Sequence, residues 1–159
     1  MTDHECCGKH SCHKINGDLR VEFRIILPTA RMPYRKRDTD SGYDLAAAEE
    51  IIIEPGELAN VRSGVQVACC SPWYYTIEGR SSLWQQGIVP FRTIIDATYT
   101  GELVAPLRNL SKNQYHIKTG DRIAQLVFHC GYSADFVEVE EFSPKYDIRG
   151  INGYGSTGR

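Results

Sequence analysis

Three short polar clusters interrupt otherwise apolar stretches, and each holds groups suited to phosphate or proton chemistry. "EGRSSLW" at 78–84 places Arg80, Ser81 and Ser82 at the opening of a short helical candidate. A guanidinium, two hydroxyls and the free N–H groups of a first helical turn together make a phosphate clamp. Read more plainly, the stretch is a surface arginine followed by a serine N-cap. "TIIDATYTGE" at 93–102 puts Asp96 after two isoleucines in an expected hairpin. Partial burial there would suit a carboxylate that acts as a base, although an aspartate can equally cap its own turn. "GDRIAQL" at 120–126 sets Asp121 and Arg122 before an apolar strand in which Gln125 is the uncharged polar interruption. A turn followed by an edge strand accounts for it equally well.

The chain closes on "RGINGYGSTGR", where four of its 14 glycines surround Tyr154. Glycine-rich termini are usually disordered. The same residues also offer bare N–H groups and the hydroxyls of Ser156 and Thr157 to an anion.

The elements that must position these groups read as β from Val21 onward. "VEFRIIL" (21–27), "YDLAAA" (43–48), "EIII" (50–53), "LANVR", "VQVACC" and "WYYTIEG" are short apolar runs separated by turn signals such as "EPGE" at 54–57. After the "IIDATYTGELVAPL" hairpin come "YHI", "RIAQLVFH" and "FVEVEEF". "SSLWQQ" at 81–86 is the helical candidate. Short strands without recurring helices predict an all-β sandwich, barrel or jelly roll. Alternating βα units and a GxxxxGK[ST] loop are both missing, which excludes a Walker-type nucleotide site.

At 159 residues the chain is of single-domain size and can bury a core without staples. A formal charge of -2 gives no reason to expect stable nucleic-acid or membrane binding. Neither a membrane-length apolar run nor a secretory signal is present, so a cytoplasmic or nuclear, reducing location is expected, with the six cysteines as free thiols. Residues 1–20 stand apart in composition. Cys6, Cys7 and Cys12 among His4, His10 and His13 could take zinc or copper, but the spacing fits no standard finger, and a flexible thiol-rich tail is the favoured reading.

Taken in order, "SGYDLAAA" (41–48), "GRSSL" (79–83), "IIDATYTGE" (94–102), "GDRIAQL" (120–126) and "RGINGYGSTG" (149–158) resemble the five motifs of the trimeric dUTPases. The resemblance runs from about Val21 to the last residue. It implies a distorted jelly-roll-like β-barrel over 21–147, a mobile C-terminal arm over 148–159, and a homotrimer whose three sites each draw on all three chains. The implied reaction is Mg²⁺-dependent hydrolysis of dUTP to dUMP and pyrophosphate, which keeps uracil out of DNA and supplies dUMP for dTMP synthesis. By the same resemblance Asp96 would activate the water. Arg80, Ser81, Ser82 and Gln125 would contact phosphates, and Asp44 would reach the metal indirectly through water or orient the sugar-side network. Tyr99 would pack beneath the deoxyribose, with backbone groups around Ile94 and Val104 reading the uracil edge. On the arm, Tyr154 would stack on the base while Arg149, Gly155, Ser156 and Thr157 hold the phosphates.

The chain departs from that pattern at Thr93 and Thr98, where the family often has glycine and a second aspartate, and at Pro90, which lacks a backbone donor. Ser82, glycine in many dUTPases, also occurs in the related dCTP deaminases. Those enzymes need a glutamate on the strand after the hairpin, whereas "ELVAPLRN" has no carboxylate after Glu102 and carries Pro106 near that place. A binding module without activity is the other alternative; Asp96, Tyr99 and the arm argue against it.

Overall fold

The computed structural model describes residues 19–146. The Cys/His-rich segment over 1–18 and the glycine-rich arm, with Arg149, Tyr154, Gly155, Ser156 and Thr157, lie outside the described residues.

Ten strands, one short helix and one 3₁₀ turn make up the described chain. The strands are β1 (Glu22–Ile25), β2 (Tyr43–Ala46), β3 (Ile51–Ile53), β4 (Leu58–Ala68), β5 (Trp73–Glu78), β6 (Ile88–Pro90), β7 (Thr93–Ile95), β8 (Glu102–Asn109), β9 (Tyr115–Ile117) and β10 (Arg122–Cys130). Helix α1 spans Ser81–Trp84 and the 3₁₀ turn Pro144–Tyr146. One four-stranded sheet has the order β1-β4-β8-β6, a second has the order β2-β10-β5-β7, and β3 with β9 forms a small third sheet. Every pairing is antiparallel. The all-β, jelly-roll-like architecture expected from the sequence is the one observed.

Alternation along the strands explains the layers. On β4 and β8 every second side chain is buried, among them Val61, Leu103, Ala105 and Leu107, and these meet Tyr75, Ile77 and Leu126 from the second sheet. Burying such apolar faces is the main drive for the sandwich. Tyr75, fully buried, sends its hydroxyl across the core to the Val67 carbonyl at 3.0 Å. Burial pushes this phenol well up, so it stays a neutral donor. Asn109, also buried, donates to the carbonyls of Ile53 and Asn113, tying β8 to the small sheet.

Four expectations need correction. "LANVR" and "VQVACC" form one eleven-residue strand, because Gly64 at φ +66° bends β4 at a bulge instead of ending it. "SSLWQQ" is helical only over Ser81–Trp84; the chain then turns through Gly87 at φ +79°. "IIDATYTGELVAPL" is not a two-stranded hairpin. Strand β7 pairs with β5 in one sheet and β8 with β4 and β6 in the other, so residues 96–101 cross between layers. Finally, "FVEVEEF" (136–142) carries no strand, and Phe136 and Phe142 are 99% and 82% exposed. Alternation favours a strand only where an edge is there to pair with. No helix among the described residues is long and apolar enough to cross a membrane.

Candidate active site

Asp44, Gln125 and Glu78 stand in one row across β2, β10 and β5, since Gln125 is in register with both of the others. Just beyond the row the chain leaves β5 at Gly79 and enters α1, with Arg80 at its N-cap. Arg80 folds back over the row. Its Nε lies 2.7 Å from Asp44 Oδ1, and its Nη1 donates to the Arg122 carbonyl at 3.2 Å and towards Ser82 Oγ at 3.5 Å. Arg122 holds the second carboxylate oxygen of Asp44 at 3.0 Å. Gln125 donates to the Gly79 carbonyl at 3.0 Å.

The close packing around Gln125 depends on two glycines. A Cβ on Gly42 would run into the Gln125 amide, and one on Gly79 would run into Pro90. No side chain caps α1, so the serine N-cap considered for this stretch is not formed. Ser81 and Ser82 are exposed at its first turn instead. A polar cavity of about 220 Å³ beside them is lined by Arg80, Ser82, Gln86, Tyr115 and Arg122. Burial, helped by the Asp121 charge, pushes the Tyr115 phenol up, so it presents a neutral hydroxyl. Two guanidinium groups around the Asp44 carboxylate make a corner rich in donors, with the Asp121 carboxylate also on the cavity wall. Such a corner suits a polyphosphate.

The second group of residues surrounds the 96–101 turn. Tyr99 N–H donates to the Asp96 carbonyl at 3.0 Å, and the Tyr99 hydroxyl reaches the Glu102 carbonyl at 3.3 Å. Asp96 is exposed, not partly buried as expected, because it sits in the crossing turn and no other element of the described chain covers it. Ile94, on the edge strand β7, is 66% exposed. Strand β8 pairs with β6 only over Leu107–Asn109, so the β6-facing edge beside Val104 has no strand partner among the described residues.

Within one chain the two groups are far apart. Tyr75 faces Ile95 across β5 and β7, which puts Asp96 beyond the start of the pairing, while Arg80 lies five residues past Tyr75 in the other direction. At ~3.3 Å per residue that is roughly 16 Å along the strand. Asp44 is further still, since β2 and β7 are the two opposite edges of the sheet. Reacting atoms must come within about 3.5 Å of one another. Within one chain the Arg80 guanidinium, turned towards Asp44 on the far edge of the sheet, and Asp96 therefore stand well apart.

Comparison with known proteins decides the family. The dUTPase family model matches residues 29–158, most of the chain. This chain belongs to the dUTPase family. A deoxyuridine 5'-triphosphate nucleotidohydrolase of Thermobifida fusca is 38% identical over 146 residues, covering 89% of this chain and 80% of the relative. Among solved structures, a dUTPase mutant of Staphylococcus bacteriophage 80alpha with bound dUpNHpp superposes with a TM-score of 0.83 at 28% identity, over 88% of this chain and 99% of that one. A mutant dUTPase from phage phi11 of S. aureus, described with a coordinated structural Mg(II) ion, gives 0.74 at 28% identity, over 77% and 98%.

In this member of the dUTPase family the described residues contain no group of three or more His, Cys, Asp or Glu side chains able to cage a metal. The donor set still fits a hard ion carried mainly by substrate phosphates. Each oxygen of Asp44 accepts from one guanidinium and keeps a lone pair for a water. Sequence reasoning named Arg122 in the third polar cluster without a role and missed Arg92, which pairs with Glu78 at 2.8 Å. The adjacent "DR" at 121–122 was the signal available for the first; nothing local marks the second.

Proposed function

We propose that the protein hydrolyses dUTP to dUMP and pyrophosphate, in sites formed where copies of the chain meet in a homotrimer. The observation that carries this reading is the separation of Asp96 from the Arg80–Asp44–Arg122 corner along β5. An exposed base on one copy and an exposed phosphate corner on another make a complete site together and an incomplete one alone. Family membership supports the substrate.

In this scheme Arg80, Ser81, Ser82 and Gln125 of one copy hold the triphosphate, with Asp44 fixing the Arg80 guanidinium through its 2.7 Å pair. Asp96 of a second copy orients a water and takes its proton as the oxygen attacks the α-phosphorus in line. Pyrophosphate leaves on the opposite side, and Arg80 stabilises the charge that builds there. When bound, Mg²⁺ would neutralise phosphate charge, and Asp44 would hold it through water. Tyr99 packs beneath the deoxyribose, and free backbone edges beside Ile94 and Val104 pair with uracil. A donor and acceptor pattern set for uracil leaves buried groups unpaired against cytosine.

Residues 148–159 form the arm in this reading, with Tyr154 on the base and Arg149, Gly155, Ser156 and Thr157 at the phosphates. Closing such an arm completes the site and excludes water. The product serves dTMP synthesis and the reaction keeps uracil out of DNA, in the cytoplasm or nucleus. Incubation with dUTP or dCTP, scoring pyrophosphate and ammonia separately, tests the reaction. Pyrophosphate from dUTP without ammonia from dCTP is expected; ammonia release would point instead to a deaminase.

A further inference from the structure

The bulge in β4 and the 96–101 turn belong to different parts of the sequence, yet one residue fastens them together. Arg62 is in register with Val104 and Gln66 with Glu102, so three residues of β4 stand opposite Leu103 alone. Several groups at this mismatch find partners at the bulge itself. Ser63 Oγ donates to the Leu103 carbonyl at 2.6 Å, and Gly64 N–H donates to Glu102 Oε1 at 2.9 Å. Arg62 then grips the same carboxylate from outside, with Nε 3.2 and 3.1 Å from its two oxygens and Nη2 2.9 Å from Oε2. A forked guanidinium on a carboxylate that also accepts a backbone N–H fixes position and direction together. At 17% side-chain exposure, Glu102 is the better shielded partner.

The backbone of Glu102 performs a different task. Its carbonyl accepts the Tyr99 hydroxyl, closing the turn on itself. The ring lies directly over Gly101, where any Cβ would collide with it. Two constraints thus set the ring plane: a bare Cα below it and a carbonyl at its tip. That carbonyl is held by the pairing of Glu102 with Gln66 and, beyond it, by the clamp of its own side chain to the bulge.

We propose that Glu102 is a positioning residue for sugar selection, holding the Tyr99 ring at the height that rejects a 2′-hydroxyl. This rests on the reading above, in which Tyr99 packs beneath the deoxyribose. Loosening the clamp lets the Glu102 carbonyl and the ring shift together, and a ring displaced by a fraction of an ångström no longer collides with ribose. The phosphate corner is untouched, and Asp96 is joined to Tyr99 only through its backbone carbonyl, not its carboxylate, so dUTP turnover should change much less than discrimination.

The test compares kcat/KM for dUTP and UTP, by pyrophosphate release, in the parent, Glu102→Gln and Arg62→Met. Glutamine keeps the size but removes the charge that the guanidinium grips; methionine removes the grip and leaves the carboxylate. Both should lower the dUTP-over-UTP ratio by about tenfold, mainly through gain of UTP turnover, with kcat for dUTP within a few-fold of the parent. Glu57→Gln, whose carboxylate closes a remote turn on Glu54 N–H at 2.8 Å, should leave the ratio unchanged. An unchanged ratio in either folded clamp variant overturns the proposal. A parent that fails to discriminate dUTP from UTP would instead overturn the underlying placement of Tyr99. If Glu102→Gln does not fold, Arg62→Met decides.

Discussion

Asp44 Oδ1 and Arg80 Nε stand 2.7 Å apart with both side chains about one-fifth exposed, and Arg122 occupies the other oxygen of the same carboxylate. The carboxylate lowers the charge of the corner but fixes the direction of Arg80. These effects oppose each other for an anionic substrate. Replacing Asp44 by Asn adds net positive charge, which favours binding of the triphosphate, and frees the guanidinium to wander. Misplacing a positioned group by about 1 Å costs on the order of 10²-fold in rate. Asp44→Asn should therefore lower kcat by about tenfold or more while substrate binding holds or tightens. Single-turnover hydrolysis alongside equilibrium binding separates the two, and a pure loss of affinity with kcat preserved would assign Asp44 to binding alone.

Gly42 offers a test of Gln125 that leaves the glutamine in place. An added methyl collides with the Gln125 amide, and Gly42 has no positive φ that would strain an alanine backbone. Gly42→Ala should displace the amide and break its 3.0 Å bond to the Gly79 carbonyl, lowering stability by about 1 kcal/mol. KM for dUTP should rise several-fold in a folded protein. Gly64 makes the contrast. It is buried at φ +66°, and a Cβ there would sit 2.7 Å from that of Ala30 and 2.8 Å from that of Leu27. Gly64→Ala should cost roughly 2 kcal/mol or more, read as a lower denaturation midpoint.

Asp96 separates a base from a turn cap. Asparagine keeps the size and most of the hydrogen-bonding capacity of a cap but cannot take a proton. Asp96→Asn should reduce kcat by on the order of 10²-fold or more, with dUTP binding preserved or slightly tighter. Near-parental turnover in the variant would move the base elsewhere, with Asp44 the next residue to replace.

Much of this arrangement is legible in the sequence because the residue types are chemically pointed. Arg80, Ser82, Gln125 and Asp44 are polar groups in or beside apolar strands, and the fold brings them into one corner through the register of β2, β10 and β5. The strands themselves announce their buried faces by alternation, as in β4 and β8. What stays hidden is set by partners distant in the chain. Whether "IIDATYTGELVAPL" is a hairpin or a crossing depends on β5 and β4 competing for its two halves, and local sequence says nothing about that competition. The exposure of Asp96 follows from the same crossing. "FVEVEEF" shows the limit from the other side, with strand-like alternation over residues that pair with none of the described strands.

Sharing of the site between copies is the central claim, and mixing two inactive variants tests it most directly. Asp96→Asn keeps the phosphate corner and loses the base, whereas Arg80→Ala keeps the base and loses the corner. In a cyclic trimer, any mixture of the two chains contains a junction where an intact Asp96 meets an intact Arg80, so roughly one site in three is restored. Each variant alone should be nearly inactive towards dUTP. Co-assembled from the unfolded chains, they should recover pyrophosphate release far above either parent, up to about a third of the unaltered protein per trimer. Mixed trimers no more active than the two separate variants would contradict the account, because they would place Asp96 and Arg80 at one phosphorus within a single chain.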